Sequence, residues 1–147
     1  MTHADIERLE AALKVTLPQR YTELLLRYPL ALDENGFHFG DDFEPLSKRF
    51  FVKDIDRLIE LNETARNPAA AAERLAHEAP WPAHLVVIGE NAGGDYYLLD
   101  AGAGVSAVLF FNRGIGALEP CADSLDHYIE RILHQAEEFN LWHSPPS

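Results

Sequence analysis

Three short apolar runs, Leu85 to Ile88, Tyr96 to Leu99 and Val105 to Phe111, follow one another with only glycine-rich turns (ENAGGD and AGAG) between them. Runs of this length, rich in β-branched and aromatic residues and bounded by glycine, read as a strand meander. The segments on either side carry a helical period instead. Thr2 followed by Asp5 fits a capping box, and Ile6, Leu9 and Leu13 then recur at helical spacing, which predicts a first helix over about residues 3 to 14. Pro18 suits a first helical turn, and Tyr21, Leu24, Leu25 and Tyr28 form a second stripe that stops before Pro29. After the meander, Asp123 or Ser124 caps a last helix with the stripe Leu125, Tyr128, Ile129, Ile132, Leu133 and Ala136, and SPPS follows as a loose tail.

The middle of the chain is less regular. Between Pro29 and Ser47 there is no Lys or Arg, while Asp33, Glu34, Asp41, Asp42 and Glu44 surround Asn35-Gly36 and the aromatics Phe37, Phe39 and Phe43. Asn-Gly in that setting suggests a turn leading into short strands. Ile55, Leu58 and Ile59 mark a third helix that frays near Asn67-Pro68, and Pro68 opens a fourth, AAAAERLAHE, which Pro80 closes. Helices, then strands, then a helix, without regular βαβ alternation, define an α+β fold. The expected architecture is an antiparallel or mixed sheet with an N-terminal helical pair, middle helices and a C-terminal helix packed around it.

At 147 residues, without internal repeat, low-complexity linker or composition break, the chain is expected to form one domain. Its 24 acidic and 12 basic residues give a formal net charge of -12. Phosphate backbones are repelled by such a surface, and the only basic cluster is Lys48, Arg49 and Lys53, so nucleic-acid binding is not expected. The acid is concentrated: residues 75–147 hold ten Asp or Glu against Arg113 and Arg131 alone. Such a face keeps a protein soluble and also steers a basic partner. No apolar run is long enough to span a membrane, the start MTHADIERLEAAL is amphipathic rather than a signal peptide, and Cys121 is the only cysteine. A cytoplasmic location, with no membrane partner, is the expectation.

Chemistry-bearing patterns are sparse. The seven histidines lie at 3, 38, 77, 84, 127, 134 and 143 without metal-ligand spacing. Cys121 near Asp126 and His127 has the residue types of a nucleophile and base, but proximity in sequence does not make that geometry, and a cysteine before a helix cap is ordinarily packed. The acids from Asp33 to Glu44 lack the spacing of a calcium loop, so a solvated loop accounts for them better. GENAGG lacks the Lys-Ser/Thr and the following helix of a phosphate loop; Gly93 and Gly94 instead permit a hairpin with positive φ. No catalytic residue, metal or cofactor is expected.

The stretch Ile88 to Asp100, IGENAGGDYYLLD, is more specific. It resembles the SUKH superfamily, in which an IG-x-N/D-x-GGD-x-Y-x-L-D segment lies between two strands. Ile6, Glu7 and Glu10 in the opening helix, Leu17, Pro18 and Tyr21 as an LPxxY step, and the closing SLDHYIERI helix agree with it, over most of residues 5 to 133. Residues 29 to 80 match least. Within the motif, Ile88, Gly89, Gly93, Gly94, Asp95, Tyr97 and Asp100 have a mainly structural reading: glycines make the turn, Tyr97 and Leu99 alternate with Tyr96 and Leu98, and Asp95 and Asp100 bond backbone at strand ends.

The superfamily includes fungal cell-wall-assembly regulators and many bacterial immunity proteins. The resemblance implies a non-enzymatic domain that binds a protein partner, in bacteria often a toxin that it neutralises. An acidic surface suits a partner with a basic, nucleic-acid-binding groove. The alternatives are a cytoplasmic regulatory or scaffold module without a toxin partner, and a hydrolase, which needs a concave site where His and carboxylates converge. Candidate partner-binding residues are Phe43 with Asp41, Asp42 and Glu44, then Trp81 held between Pro80 and Pro82, and Glu90 with Asn91 beside the glycine turn.

Overall fold

The fold is α+β, with helices packed around antiparallel sheets. It was described from a computed structural model covering residues 1–66, 84–102, 107–112 and 115–143. Helix α1 (His3–Leu13) opens with the capping box: the Thr2 hydroxyl accepts from the Asp5 N–H and the Asp5 carboxylate from the Thr2 N–H. It ends at Lys14 in the left-handed region (φ 56). Glu10 then reaches across the link and accepts the Leu17 N–H at 2.8 Å. Helix α2 (Gln19–Leu26) starts after Pro18, which occupies the cap position, ψ 140, rather than the first turn. Its fixed φ still sets the entry angle. Leu17 and Tyr21, the outer members of the LPxxY step, are buried.

The acidic stretch is ordered. Leu30–Glu34 forms a short helix α3, which five residues were too few to announce, and Asn35 caps it. Two strands follow, β1 (Gly36–Phe39) and β2 (Asp42–Pro45), paired antiparallel. Asn35-Gly36 is therefore not the hairpin turn. The reversal is made at Gly40, φ +63, and Gly36 is needed for a different reason: a Cβ there would lie 1.9 Å from the Glu44 carbonyl oxygen. Helix α4 (Ile55–Arg66) buries Leu58, Leu61, Asn62 and Ala65. The expected helix AAAAERLAHE lies outside the described residues.

The meander has four strands in sequential order: β3 (Leu85–Glu90), β4 (Tyr96–Asp100), β5 (Val108–Asn112) and β6 (Ala117–Ala122). Every pairing is antiparallel. The fourth strand, ALEPCA, has no apolar run to mark it, and Pro120 is tolerated because β6 is an edge strand. Strand β4 is buried on both faces, Tyr97 against Phe110 and Tyr128, and Tyr96 stacked on Phe111. Helix α5 (Leu125–His143) is opened by Ser124, whose hydroxyl accepts the His127 N–H. It runs past Ala136, because Phe139 continues the stripe onto Phe37 of β1.

Residues from Ile6 to Ala136 join one apolar cluster, with Tyr21, Phe51, Phe111 and Tyr128 among its largest fully buried side chains. Each such side chain contributes roughly 1.5–3 kcal/mol on burial. No helix among the described residues is long and apolar enough to cross a membrane.

Candidate protein-binding site

The family-like segment forms the β3–β4 turn and strand β4. Asn91 closes the β3–β4 turn as an Asx motif: its side-chain oxygen accepts the N–H groups of Gly93 (2.9 Å) and Asp95 (3.0 Å), and its amide donates to the Asp95 carboxylate at 3.2 Å. Gly94 takes φ +84, while Gly93 keeps an ordinary φ. Only the second of the two glycines is therefore required by backbone conformation. Asp100 accepts the Gly102 N–H at the far end of β4, a strand-end backbone bond.

Gly89 is as closely confined as Gly36. A Cβ there would sit 2.0 Å from the Phe50 carbonyl oxygen and 2.7 Å from that of Arg49, because the segment Arg49–Val52 runs against the outer edge of β3. The register shift between Val87 and Gly89 turns Ile88 C=O and Glu90 N–H outward, where they meet Val52 N–H (3.0 Å) and Arg49 C=O (2.8 Å). Further along that edge, the buried Asn62 side chain accepts Val87 N–H and donates to Val87 C=O, and Arg66 donates to Leu85 C=O. An edge closed in this way is not a template for adding a partner strand.

Glu90 and Glu44 lie in this closure. Glu90 pairs with Arg57 at 2.8 Å with its side chain only 15% exposed, and Glu44 pairs with Arg49 at 2.6 Å. Lys53 pairs with Asp33 and holds that carboxyl below the usual range, helped by a hydrogen bond from Ser47. The basic cluster seen in sequence is thus largely matched by acids of the same chain, with Lys48 exposed. Arg49, Arg57 and Glu90 line a cleft of about 360 Å³ with Lys48 and Asp54.

Asp41, Asp42 and Phe43 are exposed at the tip of the β1–β2 hairpin. Phe43 lies across from His38, ring centroids 4.8 Å apart. The hairpin is fixed to α5 by Asn140, which accepts His38 N–H at 3.0 Å and donates to Gly36 C=O at 2.8 Å, and by Phe139 against Phe37 and Phe39. An exposed acidic and aromatic tip is therefore carried on an anchored base. Trp81 lies outside the described residues.

Sequence reasoning missed Phe39, Leu141 and Trp142, which are exposed beside Asn140 and Phe139. The signal was the spacing of Phe139 from Ala136, which extends the helix to its Leu-Trp end. The nucleophile pattern is not assembled. Asp126 is held by Arg20 (2.6 and 3.1 Å), and burial pushes the Cys121 thiol up, which disfavours the thiolate despite Arg131 nearby.

The family model described as SMI1 / KNR4 family (SUKH-1) matches residues 1–131, and the chain belongs to that family. Proteins of this family bind partner proteins. No curated protein matches the chain. The matched span ends within α5, before Asn140, Leu141 and Trp142.

Proposed function

We propose that this chain is a non-enzymatic binding module, an immunity protein that neutralises a toxin carrying a basic groove, and that its 147 residues act as one unit. The observation that carries the reading is the hairpin tip. Asp41, Asp42 and Phe43 are exposed on a base anchored by Asn140, while the neighbouring acids Asp33 and Glu44 are engaged with Lys53 and Arg49. Two carboxylates beside an aromatic ring, on a chain of net charge -12, suit a cationic surface. A rigid base limits the entropy lost on docking. Family membership supports the partner-binding part of this reading.

The experiment is co-expression with the product of the neighbouring gene. The expected result is a complex that survives purification and cells that survive the toxin only when this chain is present. Absence of a complex contradicts the reading, and a complex with a harmless protein points instead to a regulatory module.

A further inference from the structure

A groove of about 430 Å³ lies between α3 and the last turns of α5, lined by Ala31, Leu133, Ala136 and Leu141 with Asn35, Glu137 and Asn140. Leu141 (73% exposed) is one of its walls, and Leu30 (66%) and Trp142 (85%) adjoin it in the chain. An exposed Leu141 in the wall of an apolar groove, with two more exposed large apolar residues next in the chain to its lining, is the kind of feature that marks a contact surface. The stretches that build the groove carry no cation: neither Lys nor Arg occurs between Arg27 and Lys48, or after Arg131. They do carry Glu34, Glu137 and Glu138, and Asp41 and Asp42 on the hairpin that Asn140 ties to the groove wall.

We propose that this groove takes an apolar side chain from a basic amphipathic segment of a partner protein, with flanking Lys or Arg meeting the acidic rim. The proposal rests on the partner-binding reading and deepens it. An apolar floor on segments that carry carboxylates and no cation of their own, with Lys53 from outside them engaged by Asp33, is complementary to apolar residues flanked by cations, and it disfavours acidic segments of the same shape. Leu141 supplies the contact that holds the complex, with Trp142 next to it in the chain, whereas Asp41 and Asp42 govern its formation.

The probe is a synthetic helical peptide of Leu and Lys in an amphipathic pattern, titrated into the full-length chain, with a scrambled peptide of equal composition as control. Shifts are expected in the NMR signals of the Leu133 and Leu141 methyls and the Trp142 indole, with weaker binding of the scrambled peptide. Leu141→Ser and Glu137→Lys, both at exposed positions, are each expected to lower affinity by about tenfold or more with the fold's spectrum retained. Equal binding of the scrambled peptide, or affinity unmoved by Leu141→Ser, overturns the groove. If the groove binds the peptide but the neighbouring gene's product does not bind the chain, the immunity reading falls and the groove stands. The two failures are therefore distinguishable.

Discussion

Two buried tyrosines show how differently one residue type is used. The Tyr128 hydroxyl donates to Phe50 C=O at 2.5 Å and so holds the segment that closes β3, whereas the Tyr21 hydroxyl is fully buried with no hydrogen-bond partner among the described residues. Tyr128→Phe leaves a buried carbonyl without that donor and is expected to cost about 1–3 kcal/mol, whereas Tyr21→Phe removes an unmatched polar group and is expected to leave stability unchanged or raised. Urea unfolding of both variants checks the contrast. Equal losses contradict it. Of the motif residues, the reversal around Gly94 was legible in sequence because an Asx turn is local chemistry. The demand for Gly89 was not, since it comes from a backbone 39 positions away in a segment without a recognisable pattern.

Elements that carry their own periodicity were legible: α1, α2, α4, α5 and strands β3 to β5 lie where the apolar spacing places them. Those held by their neighbours were not. Helix α3 has a single buried residue, Leu32, and β6 is an edge strand containing Pro120. The candidate site was legible in part, because acid and aromatics between Pro29 and Ser47 are visible in sequence, but which of them are exposed depends on Arg49 and Lys53. At this scale the decisive contact is Arg49–Val52 against β3. Gly89→Ala drives a Cβ into two carbonyls and is expected to displace that segment, at a cost of about 2–4 kcal/mol. The loss is measured by chemical denaturation, with faster amide exchange at Glu90 and Val52, whose N–H groups bond across this seam. A wild-type midpoint would contradict the account.

Across the whole molecule, the aromatic core and the acid surface respond to solution conditions in opposite places. Burial raises the pKa of Tyr21, Tyr28 and Tyr128, and pushes Tyr97 up to about 12. Groups raised in the folded state bind protons that the unfolded chain has already lost, so stability is complete below about pH 10 and falls as pH rises beyond it. Tyrosinate absorbance from these four residues is expected to grow together with the loss of circular dichroism; ionisation near pH 10 in an intact fold contradicts this. The acid surface acts on association instead. Glu44 is paired with Arg49, so Asp41→Asn with Asp42→Asn tests charge at the tip without disturbing that ion pair. Surface plasmon resonance of wild type and this double variant against the co-purified partner, at low and high salt, tests the central claim directly. The account predicts that the wild-type on-rate falls steeply with salt, that the variant starts lower and falls less, and that off-rates change little. Identical on-rates for the two proteins at low salt would contradict it.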